Sequence, residues 1–314
     1  MSLRRYDVKM IISRTVSRKN LKIPYKLKLL KWRFFRQSEG ESILLQAYTK
    51  LYAKKLNIAA PTTFSEKLFS RMVLINRHGD ARYTRLADKY LAREYVREKV
   101  GEKYLVKLLW SGTDPTKIPF DGLPQKCVVK TNHGSGGNII MSEPVIRSHI
   151  IQKLRKWLKE NFYWAARKYH YFKIPPRILV EEFLEDGEED GPLDYRFWCF
   201  NGKPEMIQVD NHSHDINPFY NTSWTKLEMC YRQDFNDADI KKPENFQEML
   251  EIAAVLAADF DFVRVDLYNL KGKIYFGELT FTPVAGRFVF KPESWDAYLG
   301  KKWEFKQFQA ATSL

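Results

Sequence analysis

Two neighbouring stretches, Phe262-Val-Arg-Val-Asp-Leu-Tyr268 and Lys273-Ile-Tyr-Phe-Gly-Glu-Leu-Thr-Phe-Thr282, limit most strongly what this chain can fold into. Strand side chains alternate, so Val263, Val265 and Leu267 share one face while Arg264 and Asp266 share the other. In the second stretch Glu278, Thr280 and Thr282 share a face. A three-residue turn over Lys271-Gly272-Lys273 predicts an antiparallel hairpin with Asp266 opposite Glu278 and Arg264 opposite Thr280. Two carboxylates one strand apart repel unless a cation lies between them, and oxygen ligands of this kind suit Mg²⁺ bridging phosphates. The hairpin is therefore either one wall of a cation site or a surface turn with scattered charges. The rest of the chain has to decide which.

Upstream, Gln125-Lys-Cys-Val-Val-Lys-Thr-Asn-His-Gly-Ser-Gly-Gly-Asn-Ile-Ile-Met141 has an apolar strand carrying Lys130, a turn with Gly134, Gly136 and Gly137, and a second apolar strand. Glycines let consecutive N–H groups approach an anion, so strand, glycine loop and strand with an adjacent lysine form a phosphate cradle. It is not a Walker A loop, in which the lysine follows the glycines and opens a helix. Ile178 to Leu184 is an apolar strand that turns acidic. Asp194-Tyr-Arg-Phe-Trp-Cys-Phe200 alternates and carries Arg196 among aromatics, where it is costly to bury without an anion. Asn201-Gly202 turns that strand into Lys203–Asp210. Asp210, His212, His214 and Asp215 lie close together in a loop-like run and read as substrate contacts rather than as a metal site.

The helical signals come from spacing and caps. Thr63 and Glu66 form a capping box before a helix over Lys67–Leu74. A second helix is predicted over Tyr83–Val100, carrying Lys89. Ile150, Leu154, Trp157, Leu158 and Phe162 mark an amphipathic helix, and Pro243–Ala258 another.

A net charge of +14 raises nucleic acid as a partner. Its distribution argues against this, because residues 1–36 hold twelve Lys/Arg against the single acid Asp7, leaving only +3 for the other 278 residues. This basic arm, with Leu27, Leu30 and Phe34 at helical spacing, either lies on an anionic membrane surface or packs its apolar stripe on the body. There is no apolar run of about 18 residues and no secretory h-region, and the three cysteines form no C-x-x-C pair. The expectation is a cytoplasmic protein, with possible peripheral contact at the inner face of the membrane through residues 1–36.

Taken in order, Pro61-Thr-Thr-Phe-Ser-Glu-Lys-Leu68, Asp88-Lys89, Lys130-Thr-Asn-His-Gly-Ser-Gly-Gly-Asn138, Glu181-Glu-Phe-Leu-Glu185, Asp194-Tyr-Arg-Phe197, Phe262-Val-Arg-Val-Asp266 and Gly277-Glu-Leu-Thr-Phe-Thr-Pro283 resemble the ATP-grasp superfamily. Within it they resemble the TupA-like family named for teichuronopeptide biosynthesis. The resemblance spans about residues 60–300. It implies an α+β fold in which two α+β lobes clamp ATP, preceded by a helical, basic N-terminal region. The implied division is 1–60 for the arm, 61–126 for a helical linker region, 127–181 for the small lobe and 182–314 for the large lobe.

The resemblance also implies roles. Lys89 and Lys130 would contact ATP phosphates, and His133, Gly134, Ser135, Gly136 and Gly137 would form the loop closing over them. Glu181, Glu182, Phe183 and Leu184 would be the hinge that reads adenine, and Glu188 would hold the ribose. Asp266, Glu278 and Thr280 would be Mg²⁺ ligands, with Arg264 and Arg196 as catalytic residues near the transferred phosphate. Two departures stand out: Thr280 replaces the asparagine of many members, and Gln208 and Asp210 stand where many carry Lys or Arg.

The implied reaction is ATP-dependent carboxylate–amine ligation through an acylphosphate, joining an amino acid or peptide to a cell-surface polysaccharide, for instance at a uronic acid or a lipid-linked glycan. The alternatives are a sugar or polysaccharide kinase using the same ATP site, a glycosyltransferase-like enzyme of polysaccharide biosynthesis, and a basic RNA-binding protein without catalysis.

Overall fold

The computed structural model describes residues 38–142, 146–185, 192–211, 213–214, 216–231 and 238–306. The basic arm and Glu188 lie outside these residues. Helices α1 (Ser38–Tyr52), α2 (Phe64–His78), α3 (Ala81–Ala87) and α4 (Ala92–Lys99) come first. Strands β1 (Leu108–Gly112), β2 (Cys127–Thr131) and β3 (Asn138–Met141) follow, then α5 (Arg147–Leu158), the single turn α6 (Tyr163–Ala166) and β4 (Ile178–Glu182). Strands β5 (Asp194–Phe200), β6 (Lys203–Asp210), β7 (Phe219–Asn221) and β8 (Lys226–Leu227), helix α7 (Phe246–Ala257), strands β9 (Phe262–Leu270) and β10 (Lys273–Thr280), and helix α8 (Ser294–Lys302) follow among the described residues.

The strands form two antiparallel sheets, one in the order β1-β4-β2-β3 and one in the order β10-β9-β5-β6-β7-β8. This is an α+β fold, as the family resemblance implies. In the smaller sheet the pleat turns Cys127, Val129, Ile178 and Val180 toward Ile150 and Leu154 of α5, which gives that sheet its own core. In the larger sheet Val263, Val265, Leu267, Phe197 and Cys199 pack against α7 through Met249, Ala253 and Leu256.

The opposite face of the larger sheet is divided. At one end Phe262, Trp198 and Phe200 are buried with Phe64, Phe288 and Trp303 in an aromatic cluster. Burying each such side chain is worth about 1.5–3 kcal/mol, so this end anchors α2 and the C-terminal segment to the sheet. At the other end the same face carries Asp194, Arg196, Arg264 and Asp266. Packing at one end of a face thus fixes strands whose other end stays polar.

The capping box is present. Thr63 Oγ1 accepts from the Glu66 N–H at 3.3 Å, and Glu66 Oε2 accepts from the N–H groups of Thr62 and Thr63 at 2.8 and 3.2 Å. The helix it starts runs to His78, a turn beyond the predicted end.

The helix expected over Tyr83–Val100 is two helices. Asp88 is extended at φ −72°, ψ 111°, and its Oδ1 accepts from the N–H groups of Tyr90 and Leu91 at 2.8 and 3.4 Å. A short acidic side chain that satisfies the next N–H groups competes with helix continuation, and here it wins. Lys89 therefore stands on a corner, not a helix, with its N–H donated to Asn132 O at 3.2 Å.

Candidate active site

The two sheets face each other across a cavity of about 330 Å³. The small-sheet wall follows from the pleat: Val128 and Lys130 on β2, Asn138 and Ile140 on β3, and Glu181 on β4 alternate with the residues buried under α5 and line the cavity. Lys130 Nζ lies 2.5 Å from Glu181 Oε2, and Arg93 Nη1 lies 3.2 Å from Glu181 Oε1. Glu181 is buried, so two cations satisfy one internal carboxylate. Glu182, Phe183 and Leu184 continue along the rim of the same cavity.

The glycine loop contributes in a divided way. Ser135 and Gly136 line the cavity, and Gly136 sits at φ +78°, a conformation that favours glycine. His133 does not face the cavity lining. Its ring is buried, with Nδ1 3.2 Å from Asn132 Oδ1 and Nε2 3.0 and 3.3 Å from the carbonyl oxygens of Glu160 and Trp157. Burial pushes its pKa below the ordinary histidine value. It ties the loop to the end of α5. Gly134 offers its carbonyl to Lys89 Nζ at 2.8 Å, and Gly137 lies against Trp157.

The large-sheet wall is a row across three strands. Glu278 on β10 pairs with Asp266 on β9, and Asp266 pairs with Arg196 on β5. Thr280 pairs with Arg264. The facing of Asp266 and Glu278 matches the sequence reading, but its cause differs. Lys271 and Gly272, both at positive φ, make a two-residue turn that pairs Leu270 with Lys273. Carried along unbroken, that register would set Asp266 opposite Gly277. A bulge at Gly277 inserts the extra residue that brings Glu278 into place. A Cβ on Gly277 would lie 3.0 Å from Asp266 O, so glycine is what lets the strands close there.

Arg264 is locked by this wall. Its Nε and Nη2 donate to Asp266 Oδ1 and Oδ2 at 2.7 and 2.5 Å, and Nη2 also reaches Thr280 Oγ1 at 3.3 Å and Glu278 Oε1 at 3.5 Å. Thr280 donates to Glu278 Oε1 at 2.8 Å, so its hydroxyl is engaged in orienting that carboxylate. Lys89 Nζ is 3.5 Å from Glu278 Oε2, which links the two walls. Arg196 donates through Nε to Asp194 Oδ2 at 2.8 Å and through Nη1 to the fully buried Asp210.

Electrostatics divide the acids. Burial pushes the Glu278 carboxyl up, but Lys89, Arg264, Thr280 and Lys168 outweigh it and hold it at about 2. Burial raises Asp266 above the usual carboxylate range, with Asp194 and Glu278 adding to the effect against Arg264. Asp194 is raised by burial as well, and its Oδ1 is a buried oxygen without a hydrogen-bond partner. Converging carboxylates, one with an orphaned oxygen, fit a divalent cation with hard oxygen ligands. Among the described residues no three acids or imidazoles form a ready-made metal cage.

Several cavity residues were not singled out as site residues from the sequence. Asp194 was visible on the face of Arg196, and alternation alone could have nominated it. Tyr268 and Asn211 also line the cavity, and so does His214, which the sequence reads as a substrate contact. His214 Nδ1 is 2.9 Å from Asp210 Oδ1, so this histidine belongs to a hydrogen-bonded network with Arg196; its neighbours His212 and Asp215 lie outside the described residues.

Among solved structures, the D-alanine–D-alanine ligase from Bacillus anthracis in complex with ATP matches at 14% identity over 63% of this chain and 54% of its own, with a TM-score of 0.39. The enzyme of the same name from Helicobacter pylori matches at 14% over 69% and 61%, with a TM-score of 0.39. An L-amino acid ligase from Bacillus licheniformis matches at 13% over 81% and 57%, with a TM-score of 0.45. The chain thus spans between 54% and 61% of the length of these ligases. A search of curated proteins finds no significant match. Residues 66–304 match the family described as TupA-like ATPgrasp, which covers both sheets and every described cavity residue. The chain belongs to the TupA-like ATP-grasp family.

Proposed function

We propose that the chain is an ATP-dependent carboxylate–amine ligase that works through an acylphosphate. The observation that carries this reading is the convergence, in one cavity, of Lys89 and Lys130 from one side and the row Glu278, Asp266 and Arg196 from the other. In this reading the backbone of Glu181–Leu184 reads the adenine edge, Glu188 binds the ribose, and Ser135 and Gly136 give N–H groups to the phosphates. Lys89 and Lys130 neutralise phosphate charge. Asp266 and Glu278 hold Mg²⁺, with Thr280 fixing the rotamer of Glu278. Bound there, Mg²⁺ supplies a Lewis acid for the phosphoryl oxygens.

In this reading Arg196, which lines the cavity, and Arg264, bonded to Asp266 beside it, stabilise the charge that spreads over the transferred group and over the oxyanion formed when the amine attacks. Both are held by carboxylates, so they are aimed before substrate arrives and need little reorganisation. Removing one such donor typically costs on the order of 10²–10³ in rate.

For substrates, the reading is an amino acid or peptide amine joined to the carboxylate of a cell-surface glycan, for instance a uronic acid, at the cytoplasmic side of the membrane. No helix among the described residues is long and apolar enough to cross a membrane. The +11 arm of residues 1–36 would meet an anionic, lipid-linked acceptor. The test is ADP release from Mg²⁺·ATP with uronic acids alone, amino acids alone, and both, with mass spectrometry of the products. Ligation predicts a product lacking one water relative to its two parts. ADP release with a phosphorylated sugar and no dependence on amine would make the protein a kinase instead.

A further inference from the structure

Beyond β6 the chain folds around Asn211. Its carbonyl accepts from the His214 N–H at 3.2 Å, its Oδ1 accepts from the Ile216 N–H at 3.2 Å, and its Nδ2 donates to Ser213 Oγ at 2.8 Å. His214 itself sits at φ +63°, a left-handed conformation in which histidine is among the enriched side chains. The loop thereby carries the His214 ring, with Asn211, into the lining of the cavity. There Nδ1 lies 2.9 Å from Oδ1 of the fully buried Asp210. A carboxylate only accepts, so this bond fixes the neutral ring as the tautomer in which Nδ1–H donates and Nε2 holds the lone pair. Asp210 also accepts from Arg196 Nη1, and Arg196 pairs in register with Asp266, which places His214 two bonded residues away from the row of the large-sheet wall.

What ligation still requires of this cavity is an acceptor for a proton. An amino group arrives as an ammonium, which has no lone pair to attack with. Between ammonium and amide the nitrogen sheds two protons while a C–N bond forms; the C–O bond to phosphate breaks, and the phosphate leaves with that electron pair. The departing phosphate takes up one proton, and the other needs a base in the cavity. Arg196 offers no acceptor. Glu181 is engaged by Lys130 and Arg93, Asp266 by Arg264, and Glu278 by Lys89, Arg264 and Thr280. His214 brings a basic nitrogen backed by a carboxylate. A proton on Nε2 leaves an imidazolium 2.9 Å from Asp210, and Asp194 and Asp210 together flank the single guanidinium of Arg196, so this end of the site has anionic charge to set against it.

Resting on the ligase reading above, we infer that His214 is the general base for amine attack: Nε2 takes a proton from the attacking nitrogen, while Asp210 holds the ring and offsets its charge. His214 has no part in forming the acylphosphate, and the test uses that division. The full chain, with Mg²⁺·ATP and a panel of uronic acids, is given either amino acids or hydroxylamine. Amino acids must lose a proton before they attack; hydroxylamine is already uncharged in neutral solution and traps an acylphosphate as the hydroxamate without a base. His214→Ala is expected to lower kcat for ligation about 10²-fold or more, the scale of general base catalysis, and to leave hydroxamate formation unchanged. His214→Gln, whose amide can still donate to Asp210 but takes up no proton, should be as slow as His214→Ala. Recovery in His214→Gln would mean that the ring only props the loop, and overturns the assignment. Equal loss of both products, undiminished ligation in both variants, or a selective loss that follows Asp194→Asn instead overturns it as well. Wild-type protein that gives neither amide nor hydroxamate across the panel removes the ligase reading itself, and with it the step that His214 serves.

Discussion

Glu278 faces Asp266 because Gly277 bulges out of β10, adding the one residue that the tight Lys271–Gly272 turn leaves missing. The pairing of the two acids thus depends on a residue that touches no substrate in the proposed mechanism. Gly277→Ala would place a methyl group 3.0 Å from Asp266 O and 3.2 Å from the Tyr268 ring. Backbone cannot yield cheaply, so a loss of about 1–3 kcal/mol is expected. A fall in the urea midpoint checks it, and an unchanged midpoint would show that the bulge has room to spare.

The acids themselves are tested through the cation. Asp266→Asn and Glu278→Gln each remove a charged oxygen from the proposed Mg²⁺ wall. Wild type is expected to bind ADP more tightly with Mg²⁺ than without it, and each variant to lose most of that difference. Titrations with and without Mg²⁺ measure this directly. A Mg²⁺ enhancement that survives in both variants would place the cation elsewhere.

Asp88 separates α3 from α4 and sets the Lys89 corner through its bonds to Tyr90 and Leu91. Asp88→Ala removes those two hydrogen bonds, each worth about 0.5–1.5 kcal/mol, and lets the helix run on. Weaker Mg²⁺·ADP binding, by more than the stability change can account for, is expected from the displaced lysine. Calorimetry and a urea melt on the same variant separate the two effects.

Glu66 gives a pH-dependent stability term. Burial works to raise its carboxyl, but hydrogen bonds from Lys54, Thr62 and Thr63 outweigh it and bring it to about 2, below its ordinary 4.5. A folded-state value below the unfolded one means that the stabilisation is fully present above about pH 4.5 and is lost as pH falls through about 2. Thermal melts between pH 6 and 2 should therefore show a steeper acid loss for wild type than for Glu66→Gln. Parallel curves would mean that Glu66 is not held as described.

Much of the site was legible because it is local. Alternation sets Arg264 with Asp266, and Asp194 with Arg196, whatever the partner strands are. The Thr63–Glu66 capping box and the Lys130 glycine loop are likewise written in a few adjacent residues. Less legible was how local signals compete. The apolar spacing of Tyr83, Leu86 and Tyr90 reads as continuous helix, and only the hydrogen bonds of Asp88 show that it stops. His133 reads as part of a phosphate loop, yet its ring turns inward to α5, because a buried imidazole needs two partners and the helix end supplies carbonyls.

The sequence by itself determined the two charged strands and the lysine–glycine loop, since these follow from periodicity and from the backbone freedom of glycine, while the α+β character came from the family resemblance. Only the tertiary structure decided that β5 pairs with β9, bringing Arg196 beside Asp266 across about seventy residues of chain, and that Lys89 and Lys130 line the same cavity as the hairpin from separate elements. Those juxtapositions come from which faces the aromatic cluster and α7 bury. A charge on a single strand carries no mark of the neighbour that such packing will give it.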